Sequence, residues 1–258
     1  MVYFHNLNPV LLHISSLEIR YYGLFYIVGL LIAYFYLKHQ IKTKNLALTY
    51  NDLLDYIIYL TIGIILGGRL FYIIVYDLKY YLANPMSIIA IWHGGMAFHG
   101  ALLGIIIASL IFCKKKKINF YTLADHVVIP ASIALALGRI GNFINGELYG
   151  RQVSLSYPLA VDFGDGIARH PSQLYESAKN LIIFAVLFPL RKSNLKPGAL
   201  FWLFITMYGM LRFIVEFFRM PDSQLGFILF GLSMGQLLTV IMVIVGGIML
   251  FKVQKIKY

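Results

Sequence analysis

Long, continuously apolar runs alternate with short polar stretches along this chain. Seven such runs stand out: roughly Tyr21–Leu37, Leu53–Val75, Pro85–Cys113, Leu123–Gly138, Gln173–Leu190, Ala199–Phe218 and Phe227–Phe251. Their apolar residues do not alternate with polar ones at every second position. The runs therefore predict membrane-spanning helices and not the strands of a barrel. A spanning helix takes ~20 mostly apolar residues, so the first and fourth runs are short for a full crossing. No internal repeat of the inverted-repeat transporter kind is visible. The expectation is an all-α polytopic membrane protein with seven transmembrane helices, in a single domain over residues 1–258.

The polar stretches are unevenly charged. Lys38, Lys42 and Lys44 follow the first run, Lys114–Lys117 the third, Arg191, Lys192 and Lys196 the fifth, and Lys252, Lys255 and Lys257 the seventh. The opposite connections hold Arg20, Lys79, Arg151, Arg169 and Arg219, with Arg139 at the end of a run. Lysine and arginine concentrate on the cytoplasmic side of membrane proteins. The expected topology thus has the N-terminus outside and the C-terminus in the cytoplasm. The connection after the fourth run is too long for a plain link, and Gly164, Asp165 and Gly166 suggest a turn within it. A small extracytoplasmic cap over roughly residues 139–171, between helices 4 and 5, is expected. Asp162 and Asp165 read as ordinary polar loop residues.

Composition narrows the picture further. Of 258 residues, 60% are hydrophobic and 13% charged, with a mean hydropathy of +0.76, which excludes an ordinary soluble domain. A net charge of +11 would suggest nucleic acid in a soluble protein. Here loop lysines that set topology and meet anionic lipid account for it, and no nucleic-acid partner is expected. The one cysteine, Cys113, lies beside the lysine run, so neither an internal disulfide nor a cysteine-based metal site is available. The N-terminus lacks a basic region followed by a short apolar core and small-residue cleavage site, and no removable signal peptide is expected.

Candidate chemistry gathers at Gly138–Arg151, GRIGNFINGELYGR, directly after an apolar run. Charged and amide side chains at a bilayer edge are costly unless something polar uses them. Its glycines would admit a close ligand or a positive φ. A cationic pocket for a lipid headgroup is the first expectation. The third run holds His93-Gly-Gly-Met-Ala-Phe-His99-Gly100. A lone intramembrane histidine more often bonds a neighbouring helix, but a neutral imidazole can also accept a proton near pH 7. In the sixth run Tyr208, Arg212, Glu216 and Arg219 share one helical face. Either Arg212 and Glu216 neutralise each other inside the bundle, or Glu216 holds Arg212 towards the same cavity as Arg139. In Arg169-His-Pro-Ser-Gln-Leu-Tyr-Glu176, Pro171 and Ser172 read as a helix start, and Gln173 and Glu176 could reach that cavity. Arg69 reads as a structural partner for one of the glutamates. Tyr22, in Arg20-Tyr-Tyr-Gly23, reads as an interfacial anchor.

Taken together, GRIGNFINGELYGR, HGGMAFHG, RHPSQLYE and YGMLRFIVEFFRMPD resemble the bacterial prolipoprotein diacylglyceryl transferase family. Seven spans with an outer N-terminus also suit that family. The resemblance implies transfer of the diacylglyceryl group of phosphatidylglycerol to the lipobox cysteine thiol of a preprolipoprotein signal peptide. A thioether would form and glycerol phosphate would leave, at the outer face of the bacterial cytoplasmic (inner) membrane. It further implies that Arg139, Asn142 and Arg212 are essential, and that His99, Tyr22, Tyr208, Glu147, Gly150 and Glu216 serve activity or phosphatidylglycerol binding.

That chemistry suits the residues. Charge grows on the leaving phosphate, and a guanidinium fork matches phosphate geometry. A free thiol, with a pKa near ~8.5, needs a base or a cationic field to become thiolate. His99 is the candidate base, and arginines that lower the thiol pKa are the alternative. No cofactor or metal is expected. The competing function is a transporter or channel with a cationic central pathway.

Overall fold

The structure, a computed structural model, describes residues 2–14, 17–220, 227–229 and 231–255. The protein divides into two compact units, Met1–Tyr36 with Ala124–Tyr258, and Leu37–Leu123. In chain order the strands and α-helices are β1 (Tyr3–Phe4), β2 (Val10–Ile14), β3 (Leu17–Arg20), α1 (Tyr21–Lys42), α2 (Tyr50–Tyr76), α3 (Leu78–Ala83), α4 (Phe98–Lys116), α5 (Phe120–Ile144), β4 (Val161–Asp162), β5 (Ala168–Arg169), α6 (Ser172–Leu190), α7 (Ala199–Glu216), β6 (Phe227–Leu229), β7 (Leu232–Ser233) and α8 (Met234–Lys255). Among the described residues six helices, α1, α2, α4, α5, α7 and α8, are long and apolar enough to cross a membrane. The protein is a polytopic helical membrane protein. The predicted fifth span, α6, falls short of that apolarity. Ser172, Gln173, Glu176, Ser177, Lys179 and Asn180 crowd its first half, and all are buried within the protein.

In the unit Leu37–Leu123, α2 starts with a reciprocal cap: Thr49 Oγ1 accepts from Asp52 N at 3.1 Å, and Asp52 Oδ2 from Thr49 N at 2.9 Å. Lipid tails offer no hydrophobic drive between helices, so small residues that let backbones meet do that work. A Cβ on Gly104 would collide with the Gly63 carbonyl, and one on Gly100 with the Gly67 carbonyl. The run predicted as one segment, Pro85–Cys113, is not continuous. Short 3₁₀ turns at Pro85–Ile88 and Ile91–His93 are followed by Gly94 and Gly95 at φ 85° and 78°, and α4 begins only at Phe98.

That loop corrects the expectation for Arg69. Among the described residues Arg69 pairs with no glutamate; it donates to the backbone carbonyls of Ser87, Ile88, Ala90, Gly94 and Gly95, with its guanidinium 5.0 Å from the Tyr81 ring centroid. Carbonyls that leave a helix need donors when buried, and one guanidinium supplies five N–H groups.

In the other unit, Val128, Ile129, Ile183, Leu187 and Leu200 form a core joining α5, α6 and α7. Asp125 on α5 caps α7 from a distance, accepting from Gly198 N at 2.6 Å and Phe201 N at 2.7 Å. Helix α5 continues to Ile144, past its predicted end at Gly138, and α8 begins at Met234, after the β6–β7 hairpin.

The cap contains strands that the apolar pattern did not foretell. β5 pairs antiparallel with β4, and β4 pairs parallel with β1, in the register Tyr3↔Val161 and Phe4↔Asp162. The predicted turn is present: Asp162 Oδ1 accepts from the N–H groups of Gly164, Asp165 and Gly166. Asp162 is thus a buried turn former. Asp165, beside it, pairs with Arg169 at 2.6 Å.

Candidate active site

The signature stretch ends α5 and leaves the helix in a turn. Three bonds close the helix end: Asn145 N to Gly141 O, Gly146 N to Phe143 O and Glu147 N to Asn142 O. Gly146 takes φ 66°, which a side chain would resist. Leu148 follows at φ 57°, an uncommon setting for leucine. The start of α6 holds it there, as Ser172 Oγ donates to Leu148 O at 3.0 Å and Gln173 Nε2 to Glu147 O at 2.7 Å. In front of this turn, Glu147 Oε1 accepts from Asn142 Nδ2 at 2.8 Å and Asn145 Nδ2 at 3.1 Å.

Gly150 is pinned by backbone on both sides. Its N–H donates to His170 O, Arg151 N donates to Phe218 O, and a Cβ at 150 would run into Phe218 O and the His170 backbone. The close approach expected of a signature glycine is thus made here by the protein itself. Arg151 Nε donates to Arg219 O at 2.8 Å, which ties the cap to the end of α7.

Below the turn, α5, α6 and α7 bring their charges together. The hub is Glu176, whose side chain is 0% exposed. Arg212 Nη1 pairs with its Oε1, and Lys179 Nζ lies 2.7 Å from its Oε2. Arg139 Nε stands 3.8 Å from that same Oε2, beyond hydrogen-bonding distance. The second carboxylate, Glu216, lies 2.7 Å from Arg212 Nη2 and 3.5 Å from Arg219 Nε, and its Oε1 accepts from Ser233 Oγ at 3.0 Å. The side chains of Arg139 and Arg212 are 20% and 15% exposed, so both retain an open face.

Four cationic groups, Arg139, Lys179, Arg212 and Arg219, thus meet two carboxylates, Glu176 and Glu216. Among the described residues this leaves an excess of two positive charges, a balance chemically suited to holding an anion. The shared face predicted for Tyr208, Arg212, Glu216 and Arg219 is present, and the Arg212–Glu216 pair matches the first of its two readings. Glu216 does neutralise Arg212, and Arg212 also joins Arg139 through Glu176.

The other predicted residues fall around this core. Tyr22 is half-buried, its OH 2.8 Å from Tyr26 OH and its ring against Gly141 in the signature helix. Tyr208 presents its ring to Lys179 Nζ, 3.7 Å from the centroid. His99 lies in the other unit, exposed in the first turn of α4, with the Phe98 and Phe71 rings at 5.9 and 6.4 Å. Sequence reasoning missed Lys179, which sits inside a run read as a span. Its signal was available: it lies three residues after Glu176 in a helix, the spacing of a side-chain pair.

Known proteins resemble this chain over most of its length. The family model described as prolipoprotein diacylglyceryl transferase matches residues 9–252. A phosphatidylglycerol–prolipoprotein diacylglyceryl transferase of Geobacter sulfurreducens is 47% identical over 244 residues, covering 94% of each chain. Proteins of the same name from Desulfotalea psychrophila and Bordetella parapertussis are 43% and 42% identical. They cover 93% and 97% of this chain and 91% and 97% of their own lengths. With motifs, charged cluster and whole-length similarity in accord, this chain belongs to the prolipoprotein diacylglyceryl transferase family.

Proposed function

We infer that this membrane protein transfers the diacylglyceryl group of phosphatidylglycerol to the lipobox cysteine of a preprolipoprotein, the first step of bacterial lipoprotein maturation. The observation that carries the reading is the convergence of Arg139 and Arg212, from two helices, on one buried carboxylate with positive charge left over. The cysteine sulfur attacks the glycerol carbon that bears the phosphate. A C–S bond forms, the C–O bond breaks, and glycerol phosphate departs while the thiol proton passes to a base. The phosphodiester carries one negative charge and the departing monoester approaches two. A site with two spare positive charges therefore favours the departing group over the bound lipid, which is how binding becomes rate.

In this reading Arg139 and Arg212 grip the phosphate, and Glu176 and Glu216 hold their forks in place. Asn142, Glu147 and Gly150 shape the turn above it, and Tyr22 and Tyr208 line its sides. The motif HGGMAFHG makes His99 the candidate base. The whole chain acts as one catalytic domain in the cytoplasmic membrane, with the site towards the outer face. Helix α6 counts as the seventh span: its 19 residues reach about 28 Å, close to the ~30 Å hydrocarbon layer, with its polar residues turned into the protein. Seven spans and lysine-rich alternate connections support an outer N-terminus. The transporter or channel reading is not favoured, since the relatives are named as transferases.

The test is purified protein in detergent with phosphatidylglycerol and a lipobox peptide. Thioether-linked lipopeptide and glycerol phosphate are expected in equal amounts. Absence of both from folded protein would refute the reading.

A further inference from the structure

Lys179 is an expensive residue to keep where it is. Its side chain is 1% exposed, and the ammonium is shared between Glu176 Oε2 at 2.7 Å and the Tyr208 ring at 3.7 Å. A buried ammonium costs several kcal/mol to desolvate and is held only by good partners. With so little exposure it cannot grip a lipid headgroup. It can, however, decide what Glu176 does. Oε1 of that carboxylate is taken by Arg212, and Lys179 takes Oε2. Arg139, approaching the same Oε2, is left at 3.8 Å.

We propose that Lys179 is a positioning residue for the transfer reaction: by occupying Glu176 Oε2 it keeps Arg139 from closing onto that carboxylate, and so leaves the Arg139 guanidinium free for the phosphate. Without the ammonium, Oε2 becomes a buried anionic oxygen with one cation in reach. Arg139 Nε then moves the short distance needed to bond it. The cluster's excess charge drops by one in the same step. Both changes weaken the hold on phosphate, and the dianionic leaving group suffers more than the monoanionic lipid. The proposal rests on the reading that Arg139 grips the phosphate.

The experiment compares wild type, Lys179→Met, Lys179→Arg and the double variant Lys179→Met/Glu176→Gln, all purified in detergent. The readouts are kcat, the KM for phosphatidylglycerol and the inhibition constant of added glycerol phosphate. KM and the inhibition constant do not depend on the fraction of protein that is folded, so a merely structural role leaves them unmoved. Lys179→Met is expected to weaken glycerol phosphate inhibition at least tenfold and to raise KM by a smaller factor. Lys179→Arg restores part of the inhibition. The double variant binds glycerol phosphate more tightly than Lys179→Met alone, because an amide no longer draws Arg139 away. Inhibition within twofold of wild type in Lys179→Met would overturn the proposal, as would a double variant no tighter than Lys179→Met. If Lys179→Met fails to fold, the comparison of the double variant with Glu176→Gln decides. With the carboxylate gone, the added Lys179→Met change keeps only the loss of one charge, so it should weaken inhibition less than tenfold, and a larger loss sinks the idea. Arg139→Ala separates the two readings: an inactive Arg139→Ala beside an unaffected Lys179→Met removes only this inference, whereas a fully active Arg139→Ala removes the phosphate assignment itself.

Discussion

Arg212 and Glu216, one turn apart on α7, pair at 2.7 Å, yet Glu216 does not have Arg212 to itself. The other arm of the same guanidinium reaches Glu176 on α6. A fork pinned at both arms keeps one orientation, so under the proposed function a phosphate group would meet it without reorganisation. Arg212→Lys keeps a positive charge but loses the planar fork. Thioether formation by Arg212→Lys is therefore expected to fall by at least about 10²-fold, the scale set by removal of one preorganised donor. Near-normal turnover by the lysine variant would show that charge alone suffices.

Arg139→Ala should lower turnover by a similar about 10²–10³-fold, with membrane insertion unchanged. Its nearest carboxylate contact is 3.8 Å away, so little structure depends on it. Equal inactivity with loss of the folded protein would place Arg139 among the structural residues instead.

Gly150→Ala is expected to fail through the cap. The new methyl group meets Phe218 O and the backbone of His170, neither of which is a flexible side-chain end. Either the 150–170 pairing or the Arg151–Phe218 bond must open. Limited proteolysis should then cut within 145–171 faster than in wild type. Unchanged protection would mean that the cap yields more readily than its packing suggests.

Asp125→Asn should cost stability without touching chemistry. Two N–H groups at the start of α7 lose a charged acceptor, and capping losses of this kind run to about 1–2 kcal/mol. Thermal unfolding in detergent measures the shift, while kcat per folded molecule stays at the wild-type value.

His170 gives the cap a pH response. Burial holds its imidazolium below the ordinary histidine value, and Nδ1 shares a hydrogen bond with Tyr175 OH at 3.1 Å. Since the folded form releases its proton more readily than the unfolded one, its stabilising effect is complete above ~6.5 and is lost as pH falls through the depressed value. Protease resistance of 145–171 should therefore decline as the pH drops below that range. His170→Gln, which cannot titrate, should flatten the decline.

Much of this was legible in the sequence, for identifiable reasons. Helix positions follow from continuous apolar runs, because a bilayer demands them. The Arg212–Glu216 pair follows from a spacing of four. What could not be read were partnerships between distant segments. Nothing near Asp125 announces Gly198, nothing near Arg69 announces the carbonyls of a glycine loop, and nothing before Tyr3 announces Val161. Breaks within apolar runs were also hidden, since Pro85–Ala97 is as apolar as a span but carries the glycines that end one. Lys179 was overlooked because one charge barely alters the mean of a window.

The parallel pairing of β1 with β4 has a consequence for biogenesis. Tyr3 and Phe4 are made long before their strand partner, which does not exist until the ribosome has passed Asp162. By then α1 to α5 have been synthesised, and β1 must wait without its β4 partner throughout. Such a long-range closure is slow and comes late. The pairing of β1 with β4 is thus a contact that the growing protein lacks until the helices α1 to α5 have been made.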